Sequence, residues 1–228
     1  MGAFFTLVDE FLRGKGRFAV GAPVAGRLRW LLLFVLAGGA IYGAVMSSFT
    51  GLLPGRGLQM LYVAIKAPLF FLVTFALCLP SFFVINTLAG LRSDFGLALR
   101  GVIATQACIS IVLAALAPLT AFFYLCGIYY DMAVLFNGLA FAVATFASQI
   151  VVRRYYGPLI TRDSRHRLML YLWLLLYIFV GIQMGWVLRP FIGDPNVSIV
   201  FLRDPSLGNP YLVIFSLFGQ VWRYVAEG

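Results

Sequence analysis

The chain has 228 residues, of which 62% are hydrophobic and 11% charged, and its mean hydropathy is +0.97. A soluble domain is roughly half apolar and about a quarter charged, so these values exclude a soluble core and intrinsic disorder alike. Three cysteines are too few for a disulfide scaffold, and the +9 net charge, which in a soluble protein points to nucleic acid, follows here from membrane topology.

The composition predicts an all-α polytopic helical membrane bundle. Residues 1–29 form a basic amphipathic segment. Phe4, Phe5, Val8, Phe11 and Leu12 share one helical face, with Thr6, Asp9, Glu10 and Arg13 turned away. Such a helix lies flat in the cytoplasmic interface or docks on the protein's own helices, and the sequence leaves both open. Met1-Gly2 with Thr6 fits a myristoylation pattern. The long lead into the first span reads as a signal anchor and not as a cleavable signal peptide.

Five stretches reach the about 20 residues needed to cross a hydrocarbon core: 30–49, 67–91, 101–126, 132–152 and 168–188. Between the first two, Lys66 followed by Pro68 predicts a helix break, with the ammonium snorkelling to the outer surface. Pro80 falls within the second span, where a proline is expected to kink it.

The basic residues set the orientation. Arg13, Lys15, Arg17, Arg27 and Arg29 precede the first span, Arg92 and Arg100 follow the second, and Arg153, Arg154, Arg162, Arg165 and Arg167 follow the fourth. The alternate loops, 50–57, 127–131 and 189–210, hold Arg56, Arg189 and Arg203. Twelve against three predicts a cytoplasmic N-terminus by the positive-inside rule. Fifteen arginines against two lysines suggest a GC-rich bacterial genome, and with it a bacterial inner membrane.

Residues 189–210 form a proline-rich outer loop carrying Pro190, Pro195, Pro205 and Pro210. Arg189 and Arg203 balance Asp194 and Asp204. The loop reads either as an external docking surface or as an Arg189–Asp194 pair that caps the bundle. Asn196-Val197-Ser198 is a glycosylation sequon that matters only in a eukaryotic source. In residues 211–228, Asn209-Pro210 supplies an N-cap and a first-turn proline. Ser216, Gln220, Arg223 and Glu227 make a polar stripe. An outer interfacial helix with an external C-terminus is expected there in preference to a sixth span.

The stretch Gly185-Trp186-Val187-Leu188-Arg189-Pro190-Phe191-Ile192-Gly193-Asp194-Pro195 resembles a signature of bacterial multi-spanning membrane proteins without a settled activity. Lys66-Ala67-Pro68 through Pro80 to Gly90, with five spans and a cytoplasmic N-terminus, is similar in outline to Yip1-type membrane proteins. The resemblance implies a non-enzymatic membrane role and transfers no catalytic residues.

No Asp or Glu falls within the five spans; only neutral amides do. Asn86 and Gln149 lie near cytoplasmic ends, where headgroup water can satisfy them, whereas Gln106, Asn137 and Gln183 are expected to be buried. Those three either bond between helices or line a substrate path. Gly39/Gly43 and Gly181/Gly185 make small-residue spacings that favour close helix packing. Cys78, Cys108 and Cys126 lie in spans without paired spacing. One histidine, His166, sits in a basic loop; it cannot form a two-histidine haem site, and no zinc-ligand set, G-x-S-x-G elbow or P-loop is present. General acid–base chemistry lacks its parts, so neither enzymatic activity nor a cofactor is expected.

Two functional classes remain. The first is a scaffold or accessory subunit of a larger membrane complex, with protein partners or self-association in the bilayer. The alternative is a small transporter or channel for an uncharged or lipid-like substrate, which predicts a continuous polar cavity touching Gln106, Asn137 and Gln183.

Overall fold

The structure, a computed structural model, describes residues 2–19, 26–50, 57–193 and 198–202. The described residues form helices α1 (Gly2–Arg13), α2 (Arg27–Ser47), α3 (Gly57–Leu88), α4 (Phe95–Leu125), α5 (Tyr130–Arg162) and α6 (Arg165–Val187). Short 3-10 turns occupy Gly16–Phe18, Ser48–Thr50 and Arg92–Asp94. The five helices α2 to α6 are long and apolar enough to cross a membrane. Continuous helix is what such sequences must form in hydrocarbon, where every backbone N–H and C=O needs a partner within its own segment.

The helices run up and down and stand in an arc, not a closed ring. Along it the order is α5, α4, α2, α3, α6, each packing mainly on its neighbours. The two ends of the arc, α5 and α6, are consecutive in sequence yet touch little. Glycines make α2 the middle stave. A Cβ on Gly38 would fall 2.5 Å from the Ser110 carbonyl oxygen of α4, and one on Gly43 would fall 2.5 Å from the Val63 carbonyl oxygen of α3. Glycine lets both backbones approach on opposite sides of one helix.

Three span boundaries differ from the sequence reading, the first being the start of α4, which lies at Phe95 and not near residue 101, so that Arg100 of the expected loop is helical. Lys66 and Pro68 do not break the chain: α3 runs through both and through Pro80. Its 32 residues reach about 48 Å at ~1.5 Å per residue, well beyond the core. Pro68 is accommodated because its ring packs over Gly39, where a Cβ would meet it at 3.1–3.3 Å. Nor does α5 stop near residue 152. It continues to Arg162, so most of the expected basic loop is helix. The turn out of α3 is set by Gly90 at φ 75°, with Leu91 N–H returning to the Asn86 carbonyl at 2.9 Å and Gly90 N–H to that of Thr87 at 3.0 Å. That is a Schellman cap.

The N-terminal segment docks on the bundle. Phe11 and Phe18 are buried and meet Phe34 of α2 at ring-centroid distances of 5.7 and 6.0 Å. Arg154 of α5 donates to the carbonyls of Phe11 and Leu12 at 3.3 and 2.9 Å. Arg27 donates to those of Arg17 and Ala19 at 3.0 and 2.7 Å. The docked face carries Phe4, Leu7, Val8 and Phe11, while Phe5 and Leu12 of the expected stripe stay exposed. The expected helix at 211–225 and its polar stripe lie outside the described residues.

Candidate functional site

Because the arc does not close, a cavity of about 480 Å³ remains inside it, walled by α3, α4, α5 and α6. The walls are mostly apolar, with Phe70, Phe71, Ile109, Phe141 and Trp173 prominent. Lining residues Thr145 of α5 and Ile178 of α6 are also exposed, so among the described residues the cavity opens between the two arc ends. Phe191 and Ile192 of the segment after α6 complete the wall at the end remote from the N-terminus. The volume falls in the range of small-molecule pockets, about 300–1,000 Å³.

One polar pair crosses this apolar space. Tyr177 Oη of α6 donates to Gln106 Oε1 of α4 at 2.7 Å. Gln106 is 5% exposed and stands eleven residues into α4, opposite Tyr177, the thirteenth of the 23 residues of α6. It also lines a second, smaller cavity of about 310 Å³ on the α2–α3 side. Thr105 and Ser148 spend their hydroxyls on carbonyls of their own helices, those of Gly101 and Thr145. The Gln149 amide also donates to Thr145. The carboxamide nitrogen of Gln106 makes no hydrogen bond among the described residues, and it is not sealed from the cavities.

The three amides singled out from sequence therefore part company. Asn137 is buried in a dry knot away from the cavity: it accepts from Tyr42 Oη at 2.8 Å and donates to Tyr124 Oη at 2.5 Å and to the Ala133 carbonyl at 2.7 Å. Tyr124 in turn donates to the Met46 carbonyl at 3.2 Å, which ties α2, α4 and α5 together. Gln183 is only half-buried and lines neither cavity. No polar path joins the three. Asn86, expected near headgroup water, is instead fully buried and donates to the Phe82 carbonyl at 2.8 Å, because the long α3 carries its C-terminal turns under the α4 and α6 starts.

Glycine spacing also divides. Gly39 and Gly43 sit at the α2–α3 contact, whereas a Cβ on Gly181 or Gly185 would meet nothing closer than 3.8 Å. The second pair opens space for the cavity, which both glycines line; it does not draw two helices together.

The outer loop is covered only in part. Arg189 stacks on the Trp186 ring at 3.5 Å, and the Pro190 carbonyl accepts from Lys66 Nζ at 3.2 Å. Lys66 is thus fully buried and does not snorkel, because the segment after α6 folds over it and supplies the acceptor. Asp194, Arg203 and Asp204 lie outside the described residues, and so does the expected Arg189–Asp194 pair.

At the N-terminal end, the sequence reading missed one cluster. His166, placed in a loop by sequence, is fully buried in the first turn of α6 with Nε2 3.2 Å from Asp94 Oδ2. Arg162 lies 3.5 Å from the other carboxylate oxygen. Arg165 pairs with Asp163 at 2.6 Å and donates to the Ala89 carbonyl at 2.7 Å. The Arg165 guanidinium and backbone N–H bonded to Asp163 hold its carboxyl down at about 2. These contacts staple the ends of α3 and α5 to the starts of α4 and α6. Cys126, expected within a span, caps α4 and is exposed, while Cys78 and Cys108 are buried.

The chain matches no protein-family model, no curated protein and no solved structure.

Proposed function

We propose that this protein is a non-enzymatic membrane carrier or transporter component that takes a lipid-like molecule from the bilayer through the gap between α5 and α6. The observation that carries this reading is the apolar cavity of about 480 Å³ that opens between α5 and α6, two helices long and apolar enough to cross a membrane, with the Tyr177–Gln106 pair inside it. A channel for water or ions is disfavoured, because Asn137 is tied into its own knot and Gln183 stands apart.

A photo-crosslinking lipid with a diazirine in its alkyl chain tests the reading in reconstituted protein. Adducts are expected on Phe70, Phe141 and Tyr177. Adducts confined to outward residues such as Phe146 and Leu175 would contradict it.

One observation favours a second reading, a scaffold or accessory subunit. At the end of the arc α6 is flanked chiefly by α3, and Leu168, Tyr171, Leu175 and Ile178 remain exposed along one face. That face can receive a helix from a partner or from a second copy.

The twelve-to-three distribution of basic residues supports a cytoplasmic N-terminus, and the arginine-rich composition supports a bacterial inner membrane. In this orientation Cys126 faces outward. A membrane-impermeant maleimide applied to intact cells then labels it; labelling only after lysis would reverse the orientation.

A further inference from the structure

The cavity also carries information about the head of the molecule it holds, an inference that rests on the proposed function. We infer that the occupant is a neutral bilayer lipid with an apolar chain and a hydrogen-bond acceptor, such as an ester or ketone carbonyl, that meets the Gln106 carboxamide inside the cavity.

Three observations converge. First, among the described residues no Asp, Glu, Lys, Arg or His lines the cavity, so a charged head drawn into it would lose its hydration without gaining a counter-charge there. Second, Tyr177 engages the oxygen of the Gln106 side chain and so leaves the nitrogen as the group available to a ligand. Among the described residues that nitrogen has no partner, although the side chain is 95% withdrawn from solvent. Third, the neighbouring polar groups Thr105, Ser148 and Gln149 donate to carbonyls on their own helices, and the Thr145 hydroxyl stands at the exposed gap and not beside Gln106 in the buried wall. The wall therefore offers a donor at Gln106 and asks for an acceptor. In hydrocarbon, water does not supply one, and a buried amide donor is costly to leave unpaired.

The geometry fixes which way the molecule lies. The acceptor sits deep, at Gln106, with the chain running along Phe70, Phe141 and Ile109 and out through the gap at Thr145 and Ile178. That is the reverse of an ordinary phospholipid, whose polar head stays at the interface, and it suits a lipid whose polar group is weakly hydrated.

The test uses the full chain in a non-ionic detergent and three probes of one chain length: methyl palmitate, palmitate at alkaline pH, and hexadecane. Methyl palmitate is expected to bind roughly tenfold more tightly than hexadecane, the scale of one well-placed hydrogen bond, with palmitate weaker than the ester. Gln106→Leu is expected to bring the ester to the level of hexadecane while leaving hexadecane unchanged. Should that variant fail to fold, Tyr177→Phe, which releases the oxygen that orients the amide, lowers the ester preference in the same direction. Equal binding of ester and hexadecane to the unmodified chain, or a preference for palmitate, overturns the inference and leaves the lipid-carrier reading standing. Binding of none of the three overturns that reading and this inference with it.

Discussion

Lys66 and Pro190, 124 positions apart, are joined by a 3.2 Å hydrogen bond from the ammonium to the proline carbonyl. The ammonium also lies 4.9 Å from the centre of the Phe201 ring. This contact holds the segment after α6 against α3, and so holds Phe191 and Ile192 in the wall of the cavity. Lys66→Met keeps the aliphatic stem and removes the donor. In a cysteine-free background carrying Ile192→Cys, the substitution should raise labelling by a water-soluble maleimide several-fold, since Ile192 is 9% exposed when the segment is held. Unchanged labelling would mean that the segment stays in place without the ammonium.

The glycines of α2 and α6 should respond oppositely to the same change. Gly38→Ala or Gly43→Ala places a methyl group 2.5 Å from a backbone carbonyl oxygen of the next helix, and neither backbone can yield without moving a helix. A loss of about 1–3 kcal/mol is expected, read as a lower unfolding midpoint in detergent. Gly181→Ala meets its nearest neighbours at 3.8 Å and should be neutral or slightly stabilising, because alanine is the better helix former. Equal destabilisation at both sites would refute the assignment of the two pairs.

Asn137→Leu removes the acceptor of Tyr42 and the donor to Tyr124 at once. Leaving the Tyr42 hydroxyl without its acceptor, while Tyr124 keeps the Met46 carbonyl, should cost about 1–3 kcal/mol, whereas Gln183→Leu, at a half-buried position, should stay within about 0.5 kcal/mol. Neither variant should change lipid binding. If Asn137→Leu abolished binding without unfolding the protein, a polar path through Asn137 would have to be restored.

Asp163 gives a pH signature in acid. Its pairing with Arg165 depresses the carboxyl from 3.8 to about 2. A group whose folded-state value lies below its unfolded value stabilises the fold above the unfolded value and loses that contribution as pH falls through the folded one. The difference in unfolding midpoint between the unmodified chain and Asp163→Asn should therefore be constant above pH 3.8 and shrink as pH approaches 2. A difference that persists at the acid limit would show that the ion pair is not its source.

How much of this was legible in the sequence differs from residue to residue. Hydropathy alone finds five spans, because hydrocarbon demands long apolar helices. Their order in the arc is not legible. A helix that is apolar all round has no polar face to mark its outside, so Gln106, Asn137 and Gln183 look alike in sequence while lining a cavity, sealing a knot and standing apart. Gly39/Gly43 and Gly181/Gly185 share one spacing, yet only the first pair faces a backbone. The clearest missed signals were Lys66 and His166. Each is an ionisable side chain within a largely apolar helix, and each is covered by a segment far away in sequence, at Pro190 and Asp94. Propensity and periodicity act over one or two helical turns and carry no information at that range.

Native mass spectrometry of the gently extracted protein tests the lipid cavity most directly. The expected result is a single chain that retains one uncharged lipid at mild activation, with the adduct diminished in Gly181→Leu, whose side chain enters the cavity. A bare chain, or a chain that travels only with a stoichiometric protein partner and no lipid, would contradict the cavity as a lipid site and shift the weight to the exposed face of α6.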